Sequence, residues 1–201
     1  MNNIRRLALV LPLLLCSCAP AIGTRVTKFH TLPQKGAGQT FQITAPTKKD
    51  SLEVRQYLGV ISERLSRYGW VPVESGKPNL TALVDYSISA PKLVTGSEPV
   101  IGQTGGGTTY YNGGFYGNTY SSTSVTVPNY GVVGYRPVTS TMYDRFFTLK
   151  ITDSSGQTLL DGKAVSTGFS GDLNEILPKM IDSFFHEFPG RSGVTTERIL
   201  H

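Results

Sequence analysis

The chain of 201 residues has room for one domain with a sizeable hydrophobic core. Its 19 Lys+Arg against 14 Asp+Glu give a formal charge of +5, but two of those cations, Arg5 and Arg6, stand at the extreme N-terminus and leave 17 against 14 behind them. No Lys/Arg cluster with interleaved aromatics occurs, which excludes nucleic acid as a partner.

The N-terminus carries the most specific signal. Residues 7–15, LALVLPLLL, form an apolar run of nine residues, well short of the roughly 20 that span a bilayer. With a basic start before it and small residues after it, the run reads as a secretory signal. Both cysteines follow in LCSCAP, residues 15–20. A metal clip needs more ligands than this pair, and His30, His186 and His201 are scattered singly. A disulfide between Cys16 and Cys18 would be strained. Leu15, Ser17 and Cys18 resemble the bacterial lipobox, with leucine three places before the cysteine and a small residue just before it. That resemblance implies removal of residues 1–17 and a diacylglyceryl group on Cys18, which would hold the protein to a membrane. Ala19, where an aspartate would retain the product at the inner membrane, implies the outer membrane, with the protein facing the periplasm. Residues 18–24 then form a short tether. The remainder has no cysteine, so packing and not disulfides must stabilise it.

The folded part is expected over residues 25–190. RVTKFHTLP and TFQIT read as strands of a first β element, with Val26, Lys28, His30 and Leu32 alternating against Arg25, Thr27, Phe29 and Thr31. Residues 50–70 form the clearest helix: Val54, Tyr57, Leu58, Ile61, Leu65 and Tyr68 recur at spacings of three and four, Asp50 is the expected N-cap, and Gly69 is placed to end it. NLTALVDYSISAP alternates as a one-sided strand with Leu80, Ala82, Val84, Tyr86 and Ile88 together. TSTMYDRFFTLKITDSSGQTLLDGKAVSTG reads as a hairpin turning at Asp153–Gly156. DLNEILPKMIDSFFHEFP gives a second amphipathic helix, in which Pro178 is tolerated only near the start. Residues 191–201 are expected to be a flexible tail. The order β, α, β, long loop, β, β, α predicts an α+β fold: an antiparallel sheet of four or more strands with two helices packed on one face.

Between Glu98 and Arg136 there is no charged residue, and this stretch holds six of the ten tyrosines and nine of the 22 glycines. The insertion, residues 99–137, reads either as a low-complexity loop or as a contact surface. In the second case Tyr110, Tyr111, Tyr116 and Tyr120 are the candidate partner contacts, stacking on sugars or packing on a protein.

No catalytic set assembles from the sequence. GGGTTYYNGG lacks the Lys-Ser/Thr of a phosphate loop. GFSGD, residues 168–172, is not a nucleophile elbow and reads better as a turn into the second helix. Asp85, Asp144 and Asp161 read as the solvated side of a sheet. No cofactor, metal site or enzymatic activity is expected.

KFHTLP, the TFQI strand, the helix end from Leu58 to Trp70, TALVDYSIS and LLDGKAVSTG together resemble a family of bacterial envelope lipoproteins known as a domain of unknown function, the 4136 type. The resemblance covers residues 25–190, implies an outer-membrane or periplasmic lipoprotein, and brings no catalytic residues. The expected role is non-enzymatic: a lipid-anchored protein that binds an envelope protein or polysaccharide and supports envelope structure or assembly. The alternatives are a surface carbohydrate-binding or adhesive module acting through the tyrosines, and a cryptic hydrolase.

Overall fold

The computed structural model describes residues 22–200. Strand β1 (Ile22–His30) begins inside the segment expected to be tether, and β2 (Thr40–Thr44) follows it in sequence. The two do not form one element: three other strands lie between them in the sheet.

Helix α1 (Leu52–Tyr68) buries Val54, Tyr57, Ile61 and Leu65, the face its spacing dictates. Its N-cap is Ser51, whose hydroxyl accepts the Val54 N–H at 3.2 Å. Asp50, the expected cap, instead receives Arg55 through two bonds of 2.8 and 2.6 Å, because the helix starts one residue later than the acid needs. Gly69 ends the helix at φ 117°, its N–H bonding back to Leu65 and Ser66. A Cβ there would lie 2.9 Å from the Gly36 carbonyl oxygen. Gly69→Ala is therefore expected to lose about 1–3 kcal/mol, read as a lower urea midpoint at unchanged m-value.

After the two-residue β3 (Val71–Pro72) comes β4 (Leu80–Ile88), in which Leu80, Ala82, Val84 and Tyr86 are buried in strict alternation. Strand β2 runs parallel to both β3 and β4. Parallel neighbours need a long crossover, and α1 supplies it.

Next come β5 (Lys92–Gln103), β6 (Thr108–Tyr116), β7 (Thr119–Val127) and the 24-residue β8 (Tyr130–Asp153). A turn at Asp153–Gly156 leads to β9 (Thr158–Gly168). The Asp153 carboxylate accepts the N–H groups of Ser155 and Gln157, each at 2.9 Å, and Gly156 takes φ 88°. Helix α2 (Leu173–Phe185) is capped by Asp172 and buries Ile176, Leu177, Met180, Ile181 and Phe184. It starts early enough to put Pro178 in its second turn, where the missing N–H leaves the Asn174 carbonyl without its helical donor. Residues Val194–Leu200, expected to be loose, form β10 along β1.

The main sheet runs β10-β1-β9-β8-β4-β2-β3, with β5 attached to β8, and β6 and β7 pair only with each other. The antiparallel α+β arrangement predicted from the sequence does not hold. Among the described residues strand accounts for 53% and helix for 17%, so the protein is mostly β around a mixed eight-stranded sheet. The supposed long loop is β structure. The two helices meet through the Tyr57 hydroxyl, which donates to Asn174 at 3.0 Å, and through the Arg64–Asp182 ion pair.

Candidate functional site

Two regions are candidate contact surfaces, and they lie on different elements. The first is an arm. From Tyr143 onward β8 is held between β4 and β9, but its first half, from Tyr130 to Met142, pairs only with β5. Twelve-residue β5 gives this ribbon a length of about 40 Å at the usual rise per residue. A register shift at Val100/Ile101 bends it, and Thr104 N–H to Asn129 O at 2.9 Å joins it to the β6–β7 hairpin.

The arm exposes its apolar side chains on both faces. Leu93, Ile101, Tyr130, Tyr135, Tyr110, Phe115 and Val125 are all exposed, and Tyr111 reaches 81%. Arg136 pairs with Glu98 at 2.8 Å across the ribbon, and the two bound the uncharged stretch. Pro99 and Pro137 sit near each other in register, opposite Tyr135 and Ser97. Each removes a backbone donor, which blunts the ribbon edges as templates for an added strand. The faces are thereby left as the candidate contact surfaces.

The four candidate tyrosines fall on β6 and β7 but not on one surface. Tyr110 pairs with Val125 on one face, while Tyr111 shares the other with Phe115 and Tyr120, whose rings are 5.1 Å apart. Tyr116 ends β6 opposite Thr119. Phe115 and Val125 belong to these surfaces as much as the tyrosines do.

The second region is a cavity of about 570 Å³ at the C-terminal end of α2, lined by the loop after the helix and by β10. Lys28 points into it from β1 and is only 6% exposed. Its ammonium donates to the Phe184 carbonyl at 3.0 Å and lies 5.5 and 5.6 Å from the Phe184 and Phe188 ring centres. Burial lowers its pKa from 10.5 to about 8, against the partly opposing field of Glu187. The unfolded protein therefore holds more protons than the folded one between pH 8 and 10.5, so this group makes stability rise with pH over that window. Relative to Lys28→Met, the wild type is expected to gain up to about 3 kcal/mol between those limits, measured by denaturant titration of both proteins.

A separate buried cation, Arg145, is 1% exposed and donates to the Ser170 carbonyl, and to the Ser166 hydroxyl at 3.5 Å. Desolvation lowers its pKa, while Glu175 and Asp144 oppose the shift. Ser170 thus works through its backbone, and its hydroxyl accepts the Asp172 N–H at 3.1 Å in the turn before α2. Asp85, Asp144 and Asp161 alternate with the buried residues of their strands and share the sheet's other face. Burial pushes the Asp85 carboxyl up, but Thr47 and Lys48 bond to it and hold it below its ordinary value, while Lys92 and Thr167 do the same for Asp144. Carboxyls so held make poor proton donors at neutral pH. Among the described residues no His, Cys, Asp and Glu side chains gather as metal ligands. His30 accepts the Leu32 N–H through Nδ1, and His186 caps α2 beside the Lys28 cavity.

Leu15, Ser17 and Cys18 lie outside the described residues. Within those described, no helix is long and apolar enough to cross a membrane.

The sequence profile of the family described as Domain of unknown function (DUF4136) matches residues 25–190. The chain belongs to the DUF4136 family. The DUF4136 match runs from within β1 to just beyond α2, includes the arm, and leaves β10 outside. No curated protein sequence matches it. Among solved structures, a PDZ domain protein from Parabacteroides distasonis is similar at 14% identity and a TM-score of 0.37. That likeness covers 88% of this DUF4136 protein and 38% of the other, so the chain spans well under half of that protein.

Proposed function

We propose that this DUF4136 protein is a non-enzymatic lipoprotein, anchored through Cys18 to the outer membrane on its periplasmic side, that holds an envelope protein through the faces of its arm and so supports envelope structure or assembly. The observation behind this reading is the arm itself: two exposed faces rich in Tyr, Phe, Val and Ile, with no charge from residue 99 to residue 135. Contiguous exposed apolar surface of this kind is rare unless something covers it. A photo-crosslinking residue placed in cells at Ile101, Tyr111 or Tyr135 should capture one common species, and the same probe at Lys48 should not. Capture scattered over many proteins, or equal at Lys48, would sink the reading.

Anchoring has its own test. Cys18→Ser should move the protein from the membrane pellet to the soluble fraction or leave an uncut precursor of higher mass. Unchanged mass and attachment would remove the lipid from the proposal.

The row Tyr111, Phe115 and Tyr120 on one face of the tip supports a second reading, stacking on a polysaccharide. Retention on cell-wall polysaccharide by the purified protein, lost in Tyr111→Ala, would favour it.

A further inference from the structure

We propose that the cavity at the C-terminal end of α2 is a binding site for a carboxylate group, with the Lys28 ammonium and the Ser183 hydroxyl as its donors. The inference is independent of the arm and concerns a different face of the protein.

A lysine at this position has a bland role available, since a cation at a helix C-terminus satisfies the last carbonyls. Lys28 does bond to Phe184 O. That contact uses one of three ammonium donors, and the two neighbouring rings offer faces but accept no conventional hydrogen bond. Ser183 lies one residue earlier on α2, lines the same cavity, and is 2% exposed. Its Oγ has no hydrogen-bond partner among the described residues. A buried hydroxyl without a partner is unfavourable by an amount comparable to a lost hydrogen bond, and a helical serine ordinarily bonds back to the preceding turn. Here a residue with an unfilled buried hydroxyl and an ammonium with spare donors line one cavity.

The space over the ammonium is kept by glycine. A Cβ on Gly190 would come within 3.6 Å of Lys28 Nζ and 3.3 Å of the Glu187 carbonyl, at a φ of 78°. At about 570 Å³ the cavity falls in the range of small-ligand sites.

Charge selects the class of ligand. Arg191 and Arg198 join Lys28 in the lining, opposed by Glu187 and Glu197. Glu197 pairs with Arg25 across β1 and β10, in the alternate register from Thr196 and Arg198, so its carboxylate belongs to the other face of the sheet. That leaves Lys28, Arg191 and Arg198 against Glu187, a cationic surplus that selects an anion; the two buried donors, Lys28 Nζ and Ser183 Oγ, match the two oxygens of a carboxylate, and Gln34 and Thr196 provide neutral polar groups for whatever carries it.

The test follows the Lys28 side chain by NMR in the full-length protein while N-acetylalanine, N-acetylalaninamide, a tripeptide with a free C-terminus, or inorganic phosphate is added. The expected result is a saturable shift of the Lys28 signals with either free carboxylate, a rise of its pKa above about 8, and no response to the amide. Stronger response to the tripeptide would identify the terminal carboxylate of a polypeptide as the source, and equal response a small free acid. Lys28→Met should abolish the effect on β10 and α2 resonances while the fold persists, and Ser183→Ala should weaken binding roughly five- to tenfold. A Lys28 signal and pKa unmoved by both carboxylates, or moved only by phosphate, would overturn the proposal and leave the lysine as a helix cap.

Discussion

Phe184→Ala is expected to destabilise the protein by about 3–5 kcal/mol, the range for a buried aromatic truncated in a core that cannot collapse around the gap. The ring is fully buried, stands edge-on to Phe147 with centres 5.3 Å apart, and adjoins Phe185 at 5.4 Å. It also sits over Gly162 of β9, where a Cβ would meet ring carbons at 2.5 Å. The absent side chain on β9 is therefore part of how the ring fits. Gly162→Ala alone should also destabilise strongly, because neither the strand backbone nor the wedged ring has room to move. Combined with Phe184→Ala it should be far less harmful than the sum, since the alanine enters the space the ring has left. Urea denaturation of the four proteins supplies the cycle. Additive losses would mean that ring and strand do not compete for that space.

The same corner shows what could be read from the sequence and what could not. Helix α1 was legible because Val54, Tyr57, Ile61 and Leu65 keep helical spacing and Gly69 has one physical role. Strand β4 was legible because one of its faces is buried, which imprints alternation on the sequence. The arm has no buried face. Its strands consist of Tyr, Thr, Ser, Gly and Val without a polar/apolar alternation, so residues 99–137 read as loop although most of them pair in strands. The parallel pairing of β2 with β4 depends on where α1 places the returning backbone, which neither strand records. Lys28 did leave a trace, since it shares the alternating set of Val26 in β1. A charged residue in an inward-facing position was the available sign of the cavity. Ser183 left none, because a small polar residue fits any face of a helix.

Removing the tip of the arm, residues 105–128, and closing Thr104 to Asn129 with an Asn-Gly turn is expected to leave stability within about 0.5 kcal/mol of the intact protein. Among the described residues, strands β6 and β7 pair with no other strand and contribute no buried core side chain. The Thr104–Asn129 bond already brings the cut ends together, so the shortened arm retains its register. Capture of the partner should behave in the opposite way. Loss of Tyr110, Tyr111, Phe115, Tyr120 and Val125 takes away the exposed apolar contacts of the tip, and crosslinking from the remaining Ile101 should fall at least tenfold if the partner grips the tip. Hot-spot energetics make so steep a fall reasonable, because a few aromatic side chains carry most of the free energy of an interface. A deletion that leaves crosslinking at Ile101 unchanged would move the partner to the β5–β8 ribbon. A deletion that unfolds the core would mean that the arm is a structural element, contrary to the pairing that isolates it.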